Sequence, residues 1–181
     1  MDIIKSALKP SLCPRHDRTP RPVTVALVQT RWHRDAKHHR DALFEGIAAA
    51  ACEGANIVFL PELTLSRYPA DQTPKGPADA TAEEAEGGPT HVMAARAAAD
   101  NDVFVHASLF EKSGEDYGRG LNTAIIVAPN GEIIAKTHKL HIPVTAGYYE
   151  DHYFAEGPAN NPYPVHTLKT DHGDINIGLP T

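Results

Sequence analysis

Long apolar runs are missing from this chain of 181 residues. None approaches the 18 or so residues that a bilayer-spanning helix needs, so no membrane role is expected. The first 22 residues also lack the continuous apolar core of a secretion signal; their five Lys/Arg against two Asp/Glu make at most a weak organelle-transit segment. Cysteine is scarce. Cys13 and Cys52 are too few for a disulfide framework, which fits a reducing compartment, and a cytoplasmic location is expected. Positive charge is short as well. The chain carries −6 overall and +3 in its first 22 residues, leaving −9 for the body. A body that acidic, without a basic stripe, makes nucleic acid an unsuitable partner. Neither a G-x-G-x-x-G turn nor a Walker loop is present.

What is present reads as an α/β domain. Residues 1–22 hold prolines and scattered charge without periodicity and read as a flexible tail; order is expected over 23–181. Val23–Gln29 is β-branched and of strand length. Asp35 is a suitable N-cap for a helix whose apolar face would comprise Ala36, Leu43, Phe44, Ile47, Ala48 and Ala51, with Gly54 ending it. Asn56–Leu60 is a short buried strand, so the segment forms a β–α–β unit with parallel strands. A polar stretch from Glu62 to about Gly88 follows, and Pro89 opens a second helix that runs to Asp100. Strands are expected at 103–110, 121–128 and 132–136, the last two joined by the turn Pro129-Asn130-Gly131. A loop over 139–164 leads to two final strands, 165–168 and 174–179. This order predicts a mixed sheet with helices on one face.

Two residues stand where chemistry usually sits, beyond strand ends. Glu62 follows a buried strand between Leu60, Pro61 and Leu63, which would partly desolvate it and make it a better general base near neutral pH. Lys139 follows the fifth strand and could steady an oxyanion. Taken alone, Glu62 reads as a capping or solvent-facing residue and Lys139 as a surface lysine. Eleven histidines are many, but His138 and His141 lack zinc spacing, and His33, His38 and His39 at a helix start read as solvated. No metal and no cofactor are expected. Cys13 lies in the tail and Cys52 near a helix C-terminus, far from any dipole that would lower its pKa, so both read as inert.

The motifs together resemble one family. The run from Val25 to Gln29, the segment Gly54–Leu63 (GANIVFLPEL), Lys139–Pro143 (KLHIP), Gly147–Glu150 (GYYE), Glu156-Gly157 and Ile175–Gly178 are similar, in order and spacing, to the motifs of the nitrilase superfamily of carbon–nitrogen hydrolases. The resemblance covers about residues 23–181 and reverses the bland readings of Glu62 and Lys139. It implies the N-terminal part of an α-β-β-α sandwich and a Glu–Lys–Cys mechanism on a small-molecule substrate. Glu62 would be the base, Lys139 the support of the tetrahedral intermediate, and Glu150 a second glutamate. The GYYE loop and Leu65–Tyr68 look closest to the branch acting on N-carbamoyl amines and acids such as N-carbamoylputrescine, within polyamine metabolism. Arg67, Tyr68 and Tyr148 would line the pocket, although Ser66–Tyr68 reads equally as loop packing.

The resemblance also places the nucleophilic cysteine directly after Thr181, so the chain is expected to be truncated before it and inactive alone. Such a piece should expose apolar sheet surface and associate. The complete protein would be a homo-oligomer. A non-catalytic interaction or regulatory protein, and a ligand-binding module using Glu62 and Lys139, stand as alternatives.

Overall fold

The computed structural model describes residues 2–6, 22–114, 118–171 and 173–179. Most of the expected tail, with Cys13, lies outside the described residues. β1 (Val25–Leu27) and β2 (Ile57–Phe59) pair in parallel, and α1 (Ala36–Cys52) crosses between them. The Asp35 carboxylate accepts the His38 amide at 2.6 Å, filling one orphan donor of the first turn. Gly54, at φ +85°, stops the helix in the left-handed region. The face α1 buries is His39, Leu43, Gly46 and Ile47, the i, i+4, i+7, i+8 stripe. Ala36 is exposed, so the expected face is rotated toward His39. His39 is not solvated: its Nε2 lies 2.8 Å from the Thr64 carbonyl.

α2 (Pro89–Asn101) starts with Pro89, whose missing N–H is no loss there. Its N-cap, Gly88, has no side chain, and Glu83 substitutes by accepting from the Thr90 amide at 2.7 Å and hydroxyl at 2.6 Å. β3 (Phe104–Glu111) joins β2 in parallel. β4 (Leu121–Val127) and β5 (Ile133–His138) add antiparallel strands, giving the order β1-β2-β3-β4-β5. The Pro129–Gly131 turn is present, but only Gly131 takes positive φ, +87°. Ala128 accepts from the Gly131 amide at 2.8 Å and donates to Glu132 at 2.9 Å, so the loop is a three-residue hairpin with the bulge at glycine.

The sheet has two different faces. Val58, Val105, Ala107, Leu109, Ile125 and Val127 meet Leu43, Ile47, Met93, Ala94 and Ala97 of the helices. Each fully buried Leu or Ile there contributes roughly 1.5–3 kcal/mol. On the other face Ile57, Ala124, Ile126 and Ala135 pack on Leu168. That residue belongs to β6 (Val165–Thr170), which pairs antiparallel with β7 (Gly173–Gly178) as a separate two-stranded sheet. The final strands therefore form a hairpin laid over the sheet rather than an extension of it. The 139–164 loop holds one unexpected element, the single-turn α3 (Glu150–Tyr153). Among the described residues, no helix is long and apolar enough to cross a membrane.

Candidate active site

Beyond β2 the chain stays bonded to β3. Leu60 donates to the His106 carbonyl at 3.1 Å and Thr64 to the Ser108 carbonyl at 2.8 Å. The Thr64 hydroxyl donates to the Pro61 carbonyl at 2.9 Å and accepts the Ser108 amide at 3.0 Å, while Ser108 Oγ accepts the Leu63 amide. This bracket holds Leu63 at φ +47°, a conformation costing a β-carbon-bearing residue roughly 1–2 kcal/mol. The Leu63 side chain drops into a cluster with Phe110 and Phe154. Glu62 is thereby turned outward.

Its side chain is 44% exposed, which corrects the expected desolvation. Leu60 and Leu63 point into two separate cores and do not cover the carboxylate. Glu62 Oε1 accepts from Asn122 Nδ2 at 2.7 Å. The same oxygen lies 3.7 Å from Lys139 Nζ. Oε2 takes no hydrogen bond from any described residue.

Lys139 follows β5. Its amide donates to the Asn122 carbonyl at 2.8 Å and its carbonyl accepts from Gly157 at 2.9 Å. Its ammonium donates to Glu150 Oε2 at 2.7 Å. Glu150 opens α3 with only 8% of its side chain exposed, and its other oxygen accepts the Tyr68 hydroxyl at 2.5 Å. Burial first, then the Glu150 bond and the charges of Glu150 and Glu62, raise the Tyr68 phenol above its ordinary range and keep it protonated. Two carboxylates flank one ammonium, so these side chains sum to −1. An arrangement of this kind can accept a proton at the open Glu62 oxygen and stabilise an anion at the lysine.

Of the expected pocket residues, Tyr148 touches Tyr68 edge-to-face at 6.4 Å and is exposed. Arg67 turns its guanidinium to Asp71, with Nη1 2.9 Å from Oδ1, and makes no contact with the charged cluster. His138 and His141 do not come together as metal ligands: His138 Nε2 lies 3.0 Å from Glu111, His141 Nε2 2.7 Å from the Tyr163 hydroxyl. Among the described residues no group of His, Cys, Asp or Glu is placed to hold a metal. Cys52 is free and exposed, closing α1. A cleft of about 500 Å³ is lined by residues 137–141, residues 162–165, Gly178 and Leu179.

Two side chains escaped the sequence reading. Asn122 is fully buried in β4, binding Lys139 through its backbone and Glu62 through its amide. A polar pair, Asn122-Thr123, near the start of a strand that is otherwise apolar was the available signal. Glu111, at the end of β3, accepts from Thr123 at 2.7 Å, Lys136 at 2.9 Å and His138 at 3.0 Å. Burial would raise its carboxyl, but these donors outweigh it and hold the group at about 2.

Residues 24–179 match the carbon–nitrogen hydrolase family model. A β-ureidopropionase of Arabidopsis thaliana is 32% identical over 90% of this chain and 40% of its own length. A citrullinase of Francisella tularensis is 28% identical over 87% of this chain and 52% of its own. The chain thus spans about half the length of these curated relatives. Among solved structures, a Helicobacter pylori carbon–nitrogen hydrolase superposes with a TM-score of 0.63 at 25% identity, covering 76% of this chain and 45% of that one. An amidase from Nesterenkonia gives 0.61 at 21% identity, covering 86% and 56%. The fold, the matched span and the order of the motifs make this chain a member of the carbon–nitrogen hydrolase family, the nitrilase superfamily.

Proposed function

We propose that the protein hydrolyses non-peptide carbon–nitrogen bonds of N-carbamoyl amines or amides, with Glu62 as general base and Lys139 as the oxyanion's support. The observation that carries this reading is the Lys139 ammonium held 2.7 Å from Glu150 and 3.7 Å from Glu62, whose second oxygen is open. A cysteine thiol set against Lys139 would give its proton to Glu62 Oε2, and the thiolate would attack the carbonyl carbon. The tetrahedral oxyanion would sit at the ammonium, and the amine would leave with the proton from Glu62. Glu62 would then take a proton from water as the water oxygen attacks the thioester carbonyl, and would return that proton to the departing thiolate, restoring the thiol. Glu150, with both oxygens occupied, serves as counter-ion rather than base.

Tyr148, exposed beside this cluster, is the candidate for contacting substrate, and Arg67 would do so after leaving Asp71. N-carbamoylputrescine-like compounds are the first substrates to try, which would place the protein in polyamine metabolism. Two copies paired as a homo-oligomer in the cytoplasm complete the proposal.

The test is ammonia release by the protein as its gene encodes it. The panel is N-carbamoylputrescine, N-carbamoyl-β-alanine, simple amides and nitriles. The expected result is turnover of a carbamoyl or amide substrate, with Glu62→Gln and Lys139→Ala each lowering kcat by about a thousandfold. Turnover unchanged in both variants, or absent on every substrate class, would remove the reading.

A further inference from the structure

We propose that Tyr68 is a positioning residue, whose hydroxyl completes the saturation of Glu150 and so fixes that carboxylate as the standing partner of Lys139. This rests on the reading of Glu62 as base and Lys139 as oxyanion support. The two glutamates differ in one respect. Glu62 spends one oxygen on Asn122 and Lys139 and keeps the other open. Glu150 is nearly buried and spends Oε2 on Lys139, at 2.7 Å, and Oε1 on Tyr68, at 2.5 Å. A nearly buried carboxylate whose two oxygens each already accept from a donor is fixed in orientation and offers neither oxygen freely to a substrate or to the nucleophile. A hydroxyl already donating at 2.5 Å cannot also orient a substrate carbonyl.

The surroundings hold Tyr68 in that role. Its ring packs on the buried trio of Leu63, Phe110 and Phe154, so the same cluster seats the residue after Glu62. The Tyr149 amide donates to the Ala70 carbonyl at 2.8 Å, a second cross-link between the loops carrying Tyr68 and Glu150. The charged and titratable groups facing the phenol are Glu150, Glu62 and Tyr148, with Lys139 behind Glu150. Without the hydroxyl, one Glu150 oxygen would lose its donor in a buried place. Glu150 would then be held by Lys139 alone and free to swing, leaving the ammonium Glu62 as an alternative partner 3.7 Å away. A lysine drawn onto Glu62 would pair with the base itself.

The first test does not require activity. The chain is labelled with ¹³Cζ-tyrosine, and the Tyr68 resonance is assigned by its loss in Tyr68→Phe. A free tyrosine half-ionises near pH 10. Tyr68 should remain a phenol through pH 11, and in Glu150→Gln it should ionise about one pH unit or more lower. Titration of Tyr68 near 10 in the unaltered chain, or at the same pH with and without the Glu150 charge, would overturn the proposal. Should Tyr68→Phe not fold, resonance loss in Tyr68→His gives the same assignment. The second test uses the protein as its gene encodes it. Tyr68→Phe should lower kcat about tenfold to a hundredfold with KM within about threefold. A raised KM with kcat intact would instead make Tyr68 a substrate contact. If no substrate is turned over at all, the Glu62–Lys139 reading fails, and the titration still decides whether Tyr68 is bound to Glu150.

Discussion

At the scale of single residues, the site is organised by a polar group without charge. Asn122 is fully buried and ties Glu62 to Lys139, one through its side chain and the other through its carbonyl. Asn122→Asp keeps the shape and replaces the donor by a carboxylate facing Glu62 Oε1 at 2.7 Å. Two carboxylates that close cannot both ionise cheaply. The variant should lose more than about 2 kcal/mol at pH 7, and the difference from the unaltered chain should narrow at pH 4.5, where one carboxyl takes up a proton. Urea midpoints of both chains at the two pH values measure this; a gap that does not change with pH would show that Asn122 is merely a packed core residue. Glu62 and Lys139 were legible in the sequence because each lies in a motif beyond a strand. Asn122 and Glu111 were not, because their meaning depends on register. Pairing of Phe110 with Asn122 and of Thr123 with His138 decides which side chains share a face, and short apolar strands do not declare their register. The expected desolvation of Glu62 failed for a related reason: neighbours in sequence need not cover a side chain, and Leu63 turns away through its positive φ.

At the scale of elements, the strands and both long helices were readable from caps, β-branched runs and turn residues, whereas α3 was not. A single turn is too short for periodicity to mark. What forms it is tertiary: Phe154, fully buried, meets Phe110 edge-to-face at 4.9 Å, and the Phe154 amide donates to Glu150 at 2.8 Å. The placement of Lys139 also depends on an element contact. A β-carbon on Gly157 would stand 2.9 Å from the His138 β-carbon and 3.0 Å from its carbonyl. Gly157→Ala should therefore push the 156–157 segment off the end of β5, break the Gly157–Lys139 bond and cost about 1–3 kcal/mol. Asp35→Ala, which removes only the α1 cap, should cost about 1 kcal/mol. The two are separated by the Lys139 Nζ–Glu150 distance in crystals of each variant. It should lengthen in Gly157→Ala and stay near 2.7 Å in Asp35→Ala. An unmoved lysine in both would detach Gly157 from the site.

At the scale of the whole molecule, two features follow from how the sheet is covered. His106 stands in β3 on the face away from the helices, 5% exposed, stacked 4.7 Å from Phe59. Burial lowers it from 6.5 to about 4. The unfolded chain therefore binds the proton first: this stability is complete above pH 6.5 and is lost as the pH falls through 4. Glu111, held at about 2 against an ordinary 4.5, adds a lower step that is complete above 4.5 and lost toward 2. Denaturant midpoints should fall in two stages, roughly 3 kcal/mol for His106 and, after solvent screening at a strand end, roughly 2 for Glu111. His106→Phe should flatten the upper stage alone; a stage that survives the substitution belongs to another group. The second feature is the same face nearer the edge. The β6–β7 hairpin covers β4 and β5 through Leu168, but Val25 and Leu27 of the edge strand β1 remain 53% and 79% exposed. The open side of β1 carries a branched aliphatic and a leucine rather than polar residues. Among the described residues no strand pairs with β1 on its far side, so its edge and its apolar open face are placed to meet a second copy. The chain should associate at micromolar concentration, and Val25→Thr with Leu27→Lys should shift it toward monomer without lowering its melting temperature by more than a few degrees. Sedimentation velocity across a hundredfold range of concentration reads this. Association that persists in the double variant would locate the contact elsewhere, and a monomer in both would mean that 53% and 79% exposure at two positions is too little apolar area to drive pairing.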